Sequence, residues 1–390
     1  MRTVAVVGAS LAGLSSARAL RSQGFDGRLV VIGDELHRPY DRPPLSKEFL
    51  AGTFTRDDLA LEDADEDLGV EWLLGVRAES LDLTERTVVL ADGKRVRADG
   101  VVVATGARAR TLAGTERLAG VHTLRTLDDA VALRAEVEPG RRLVVIGAGF
   151  IGAEVASTAR ALGLDVTVVE ALATPLAGPL GTDMGVIVSA LHADHGVRLI
   201  CGTGVRGFTG VERVDGVALD DGRVLPADLV LVGVGAQPNV EWLQGSGLEL
   251  DNGVRCDVGG LTSSPGVVAV GDCAAWYDRR LGRHHRVEHW TGALDRPKRA
   301  VATLLSGDSS GPDAAPPYFW SDQYGVRLQF AGDARSADTV TIEDGDPADR
   351  CFLAVYRRDQ EPVGVLGMNQ VRAFTRWRRM LGTASVVAPS

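Results

Sequence analysis

Two short glycine-rich stretches carry the residues best placed to do chemistry. One reads VVGASLAG and holds Gly8, Ser10 and Gly13; the other reads VIGAGFIG and holds Gly147, Gly149 and Gly152. Each follows a β-branched run and leads into small residues of helical character. Each is followed by a second apolar run ending in an acid: Asp34, 26 residues past Gly8, and Glu170, 23 residues past Gly147. That spacing belongs to a strand-turn-helix-strand unit that binds a dinucleotide. Small side chains let the turn and the first helical amides approach a pyrophosphate, whose charge the positive end of the helix dipole favours. The later carboxylate accepts hydrogen bonds from ribose hydroxyls. One such turn is weak evidence, because it also serves ordinary helix packing. Two copies, each with its acid, make two dinucleotide sites the expectation. Ser10 replaces the middle glycine of the first copy, which the turn tolerates if its φ stays negative.

The elements that must hold these turns follow. VVVATGAR (101–108) reads as a buried strand ending in a Thr105-Gly106 turn, and VVAVGDCAAW (267–276) as a strand ending in Gly271-Asp272 ahead of a helix-like run. An aspartate there is by itself an ordinary helix cap. Beside the first glycine turn and the ATG turn, both segments resemble pieces of a flavoprotein fold with two dinucleotide-binding domains, in which this aspartate bonds the ribityl chain of FAD. The expected architecture is α/β: two Rossmann-like domains of the glutathione-reductase-like type plus a small α+β C-terminal domain. The FAD-binding domain is discontinuous, 1–110 and 238–312, because Asp272 must return to the flavin held at Gly8. The NAD-binding domain is inserted at 111–237. SGDSSGPDAAPP (306–317) reads as a linker. A C-terminal domain at 313–390 then holds strands such as VRLQFAG and CFLAVYRR and a helix near 371–381.

Composition bounds the function. With 390 residues, 45% hydrophobic and 24% charged, the chain is globular and long enough for two or three domains. The N-terminus enters a strand-like run without a basic leader, and no stretch of 18 apolar residues occurs. A cytoplasmic protein that spans no membrane is the expectation. A net charge of −10 disfavours nucleic acid as a partner. Cys201, Cys256, Cys273 and Cys351 lie at least 17 positions apart, so no redox pair or zinc spacing exists and no metal is expected. Glu170 is followed by Ala171 and Leu172 rather than by an arginine, which favours the free 2′-hydroxyl of NADH over the phosphate of NADPH. Arg198 and Arg206 are the cations that could approach from elsewhere.

YDRPPLSKEFLAG (40–52), ATGAR, LRTLDDA (124–130), GAGFIGAE, AVGDCA, VEHW (287–290) and PYFWSDQYG (317–325) occur in this order. Together they resemble the oxygenase-coupled, FAD-containing NADH-dependent ferredoxin reductases, a family that includes putidaredoxin reductase, rubredoxin reductase and the reductase components of aromatic-ring dioxygenases. The likeness spans nearly the whole chain. It implies that Ala12, Asp34, Arg42, Lys47, Val76, Arg125, Asp272 and Trp290 contact FAD, beside Gly8, Ser10, Gly13, Thr105 and Gly106, with Trp320 near the flavin. It places Gly147, Gly149, Phe150, Ile151, Gly152, Glu154, Glu170 and Gly235 on NADH. Two positions depart from the family pattern, which has an Asn-Ala pair and a glutamine after the E-H-W segment: Gly292-Ala293 and Arg296 stand there.

The reaction so implied is hydride transfer from NADH to FAD, then single electrons to a ferredoxin that feeds an oxygenase, with Lys47 and Glu154 as the catalytic pair. Only three of the 42 basic side chains are lysines, and Lys47 follows the stiff Pro43-Pro44 turn. A compact ammonium pairs with one carboxylate where a guanidinium is a wide fork. A disulfide reductase, peroxidase or oxidase of the same fold would need a reactive cysteine in the segment 34–50, which has none. The rival from another class is a binding or signalling flavoprotein resembling apoptosis-inducing factor, distinguished by the absence of acceptor turnover; rubredoxin reductase is the nearer alternative. Two basic clusters, Arg279, Arg280 and Arg283 or Arg372, Arg376 and Arg379, are the expected docking sites for an acidic ferredoxin.

Overall fold

The computed structural model describes residues 1–311 and 315–383. Residues 312–314, within the expected linker, and 384–390, at the end of the expected C-terminal domain, lie outside the described residues. The chain forms two compact units. The first comprises Met1–Asp41, Ala60–Arg108 and Gln237–Pro317; the second comprises Arg42–Leu59, Ala109–Ala236 and Tyr318–Ser390.

The core of the first unit is a five-stranded parallel sheet in the order Val267–Ala269, Gly100–Val103, Thr3–Val7, Arg28–Ile32 and Val70–Leu73. Its central strands are unbroken runs of Val, Ile, Leu and Ala buried on both faces, the signature of a parallel sheet covered on both sides. The helix Leu11–Ser22 packs against the helix Trp290–Ser306. The run after Gly271-Asp272 is not helical. Gly271–Cys273 makes a single 3-10 turn, and Ala274–Asp278 is a strand between Val254–Cys256 and Arg283–Arg286. Trp276 and Tyr277 favour a pleated surface, and both neighbouring strands offer ladder bonds.

The second unit is built on a parallel sheet in the order Arg198–Cys201, Asp165–Glu170, Arg142–Ile146, Leu229–Val232 and Val121–His122. The residues 318–368 add an antiparallel sheet in the order Tyr318–Gln323, Val326–Gly332, Glu361–Met368, Cys351–Arg358 and Thr339–Asp346. Alternation along CFLAVYRR explains its place. Phe352, Ala354 and Tyr356 pack on one face with Met184, Val188 and Leu191 of the helix Thr182–Asp194. Leu353 and Val355 pack on the other with Phe374 and Leu381 of the helix Val371–Thr383. The strands and helix expected in this region are therefore present, the sheet lying between that helix and the helix Thr182–Asp194.

A histidine is sealed into that packing. His192 is 2% exposed, its Nδ1 2.7 Å from the Tyr324 hydroxyl, and burial pushes its pKa down to about 4. The native chain thus resists a proton that the unfolded chain binds near pH 6.5. Stability is full above that pH and declines as pH falls from 6.5 toward 4, by about 3 kcal/mol for this one group. Burial also pushes the His289 pKa down to about 4, so denaturant midpoints across this window are expected to show a slope that His192→Gln lessens and does not remove. An equal slope in the variant would remove His192 as the cause.

Candidate functional site

The two glycine turns have the same construction. Gly8 has φ +124° and Gly147 φ +100°, conformations that disfavour side chains. A Cβ on Gly8 would lie 2.0 Å from the Ala104 carbonyl oxygen, and one on Gly147 2.3 Å from that of Gly233. A Cβ on Gly13 or Gly152 would strike the carbonyl oxygen of Gly8 or Gly147, at 1.9 and 2.2 Å. The first and third glycines are thus demanded by close packing of turn, helix and neighbouring strand. The middle position is different. A Cβ on Gly149 meets nothing within 4 Å, and Ser10 holds φ −110°, so a serine fits there without strain.

These turns fit the nucleotides expected of them. Ser10 and Gly149 cap the helices Leu11–Ser22 and Phe150–Ala161, and neither supplies a side-chain bond to the first-turn amides. Both helix starts keep donors for a phosphate. Behind Gly8, Gly271 packs its Cα so near Ala12 that a Cβ would sit 2.9 Å from the Ala12 methyl, which puts Asp272 beside the first helix. The Thr105-Gly106 turn is clamped by Asn239: Thr105 Oγ1 donates to its carbonyl at 2.6 Å, and its backbone N–H donates to the Gly106 carbonyl at 2.9 Å. Asp34 lies exposed just past its strand, and the Val76 amide donates to the Gly33 carbonyl at 2.9 Å. Trp290 Nε1 donates to Asp41 Oδ1 at 2.7 Å. All of these belong to the first unit.

In the second unit Glu170 is fixed by two backbone donors. Ala148 N–H reaches its Oε2 and Leu172 N–H its Oε1, each at 2.9 Å. Each oxygen retains a lone pair for a further donor. Arg198 is not close to this acid along the sheet: it pairs with Thr167, while Glu170 pairs with Cys201. The two backbone positions are offset by three in register, about 10 Å. Arg206 stands in the strand Val205–Gly210, and Gly235, with φ +99°, precedes the short strand Ala236–Pro238.

Of the remaining residues, Lys47 and Glu154 are joined, with Ser46 and Ser321, in a network around one carboxylate. Glu154, in the helix Phe150–Ala161, is 6% exposed. Its Oε2 accepts from Lys47 Nζ at 2.8 Å and from Ser46 Oγ at 2.6 Å; its Oε1 accepts from Ser321 Oγ at 2.7 Å. Thr158, one turn along, donates to the Ser46 carbonyl at 2.8 Å and holds the Pro43–Ser46 turn on this helix. Arg42, which begins that turn, donates to the Arg125 carbonyl. Arg125 is in turn held by the Thr126–Asp129 capping box of the helix Leu127–Arg134. Trp320 lies next to Ser321 in the strand Tyr318–Gln323, its ring 6.1 Å from that of Tyr318. The bonds of Arg42, Ser46 and Lys47 join the segment 42–59 to the rest of the second unit, as does Arg134, whose guanidinium lies over the Phe49 ring.

Sequence reasoning gave Ser46 no role and did not single out Ser321 or Gln323. A signal existed. In YFWSDQ the alternate residues Ser321 and Gln323 are 0% and 3% exposed, polar groups on the buried face where a strand ordinarily carries apolar ones. Of the two departures, Arg296 stacks over Trp276, 5.1 Å from the ring centroid, and Gly292 has room for a side chain.

The basic clusters differ in what they leave exposed. Arg286 bonds the Asp272 carbonyl and Glu288, Arg280 pairs with Asp278, and Arg279 donates to the Gly311 carbonyl at 3.1 Å; Arg279 and Arg283 are the exposed members. Arg372, Arg376 and Arg379 are exposed and recur at i, i+4 and i+7, on one side of the helix Val371–Thr383. All four cysteines are free thiols. Burial pushes the Cys256 and Cys273 thiols up, and burial together with Glu170 does the same to Cys201, so none of these three is a ready nucleophile. Among the described residues no group of three or more His, Cys, Asp or Glu could hold a metal, and no helix is long and apolar enough to cross a membrane.

Comparison with known proteins agrees over the whole length. Residues 2–296 match the family model described as pyridine nucleotide-disulphide oxidoreductase, and residues 318–390 match the reductase C-terminal model. The ferredoxin–NAD(+) reductase subunit of the benzene 1,2-dioxygenase system of Pseudomonas putida is 40% identical, over 99% of this chain and 94% of that protein. The ferredoxin reductase component of chlorobenzene dioxygenase from Cupriavidus sp. (strain PS12) is 38% identical over 99% and 94%. Among solved structures, the covalent putidaredoxin reductase–putidaredoxin complex matches with TM-score 0.93 and 33% identity, covering 98% of this chain and 93% of that one. A ferredoxin reductase for the CYP199A2 system of Rhodopseudomonas palustris matches with TM-score 0.91 and 38% identity over 97% and 94%.

Proposed function

This chain belongs to the pyridine nucleotide-disulphide oxidoreductases, in the ferredoxin reductase branch that carries a reductase C-terminal domain, and from that premise we propose how its residues divide the work. The protein is an FAD-dependent oxidoreductase that passes electrons from NADH to a ferredoxin serving an oxygenase. FAD supplies the conversion that the reaction needs, two electrons taken as hydride and released singly. The protein's own part is to bind, orient and polarise.

The FAD-binding domain runs over 1–110 and 238–312, the NAD-binding domain over 111–237 and the C-terminal domain over 313–390. The turn at Gly8, Ser10, Ala12 and Gly13, with Asp34, Val76, Thr105, Gly106, Asp272 and Trp290, holds FAD; Arg42, Arg125 and Trp320 serve the same cofactor. The turn from Gly147 to Gly152, with Glu170 and Gly235, holds NADH. Lys47, fixed by Glu154, presents one localised positive charge to the flavin, and Glu154 borders the nicotinamide. The observation that carries this reading is the 2.8 Å Lys47–Glu154 pair, largely buried, on the helix that leaves the second glycine turn. Where disulfide-linked relatives of this fold use cysteines, this segment offers Ser46 and Lys47. The ferredoxin docks on exposed arginines, Arg279 and Arg283 or the row Arg372, Arg376 and Arg379, and the protein works in the cytoplasm.

A visible spectrum of the purified protein during anaerobic titration with NADH and with NADPH tests the reading as a whole. Bleaching of bound flavin by NADH, followed by turnover with an iron–sulfur ferredoxin, is expected; slow bleaching and no acceptor turnover would point to a binding protein instead. Charge reversal at Arg279 and Arg283 should lower the salt dependence of ferredoxin reduction, and an unchanged dependence would leave docking to the 372–379 row.

Nucleotide choice has its own test. Glu170 presents a carboxylate to a ribose hydroxyl and repels a phosphate, with a charged hydrogen bond worth about 1.5–3 kcal/mol. Glu170→Gln is expected to lower the kcat/KM ratio of NADH to NADPH by about tenfold. An unchanged ratio would remove Glu170 as the determinant.

A further inference from the structure

We propose that Ser321 is a positioning residue for Glu154, setting the orientation in which the carboxylate holds Lys47; the inference rests on the reading of that pair given above. Glu154 has two carboxylate oxygens and three side-chain donors. Lys47 and Ser46 share Oε2, and Ser321 is the partner of Oε1 among the described residues, at 2.7 Å. The donor directions fix the carboxylate plane. Without the third donor, Oε1 is left unpaired in a buried place and the group is free to turn away from Lys47.

Ser321 itself is held for this purpose. It is 0% exposed, and Gln323 Nε2 donates to its Oγ at 3.4 Å, which leaves the hydroxyl proton directed to Glu154. A buried hydroxyl costs free energy unless paired, so packing alone would be served better by alanine at this place. The strand that carries it lies along one stripe of the helix Phe150–Ala161. The Phe319 and Phe150 ring centroids lie 4.5 Å apart, Ser321 bonds Glu154, and the Tyr324 amide donates to Ser157 Oγ at 2.6 Å. Positions 150, 154 and 157 recur at i, i+4 and i+7, a single helix face. The C-terminal sheet therefore reaches Glu154 through a tethered strand in which Trp320 immediately precedes Ser321. Three donors already in place need no reorganisation when charge develops nearby, the condition for electrostatic assistance to a transfer step.

The test compares Ser321→Ala, Ser321→Thr, Glu154→Ala and the double variant Ser321→Ala/Glu154→Ala as FAD-containing proteins. Flavin reduction by NADH is followed by anaerobic stopped flow, and thermal midpoints are measured on the same samples. Ser321→Ala is expected to slow reduction about tenfold, the equivalent of one charged hydrogen bond, with the dependence on NADH concentration unchanged. Ser321→Thr, which keeps the hydroxyl, should restore the rate. The double variant should be no slower than Glu154→Ala alone, and its midpoint should fall by less than the sum of the single shifts. Wild-type reduction by Ser321→Ala, or additive losses in the double variant, would overturn the proposal. Wild-type reduction by Glu154→Ala would instead sink the reading of the catalytic pair, and a non-additive midpoint would still register the Ser321–Glu154 bond. Should the alanine variant fail to fold, Ser321→Cys carries the same comparison with a weaker donor.

Discussion

Glu154→Ala is expected to slow reduction of the bound flavin by NADH by about 100-fold while the flavin itself stays bound. Three side chains converge on this carboxylate, and only Lys47 among them is charged. Removing Glu154 leaves a lysine whose side chain is 14% exposed without its counter-ion, a loss of about 3–5 kcal/mol when one partner of a buried pair is deleted. The ammonium then swings toward water and no longer presents its charge at one place. Lys47→Arg examines the other half of the pair. A guanidinium keeps the charge but needs a wide planar fork, and at Oε2 it meets Ser46 Oγ, already 2.6 Å from the same oxygen. Its reduction rate should fall in the same direction by about tenfold, the weight of one charged hydrogen bond. Stopped-flow traces at saturating NADH decide both variants, and a wild-type rate in either would count against a role for the pair in hydride transfer.

What could be read in the sequence was local. The glycine turns, Asp34 and Glu170 are set by the spacing within one strand-turn-helix-strand unit, and each stands where that spacing puts it. The C-terminal strands and their last helix were legible for the same reason, because period-2 and period-3.6 patterns are properties of neighbours in sequence. The Glu154 network was legible only in part. Lys47 and Glu154 stand 107 positions apart, and Ser321 a further 167 beyond Glu154, so no local pattern joins them. The pairing of the first two was suggested by family resemblance. Ser321 left only the faint mark of a polar residue on a buried strand face. The run after Asp272 has helical character only in isolation, because the ladder bonds that make it a strand come from residues 254–256 and 283–286, invisible to its own composition.

Gly147→Ala is expected to abolish reduction by NADH at ordinary concentrations and to lower the thermal midpoint, while FAD stays bound. Gly147 holds φ +100°, which costs an alanine about 1–3 kcal/mol, and its added methyl would lie 2.3 Å from the Gly233 carbonyl oxygen. That oxygen belongs to the backbone just past the strand Leu229–Val232, so the clash is relieved only by moving the turn, the helix Phe150–Ala161 or that interior strand. Overpacking of this kind adds about 1–3 kcal/mol. Displacement of the helix start takes the first-turn amides away from the pyrophosphate and shifts Glu154 with them. Gly149→Ala is the control, since its φ of −74° suits any residue and its Cβ position is open. It should fold as the wild type does and lose only affinity for NADH, by crowding the phosphates. Ser10, at the matching position of the first turn, already shows a side chain accommodated there. Two glycines two residues apart thus separate what the motif needs to fold from what it needs to bind. Equal midpoints for the two variants would mean that the close approach at Gly147 is not what the turn depends on.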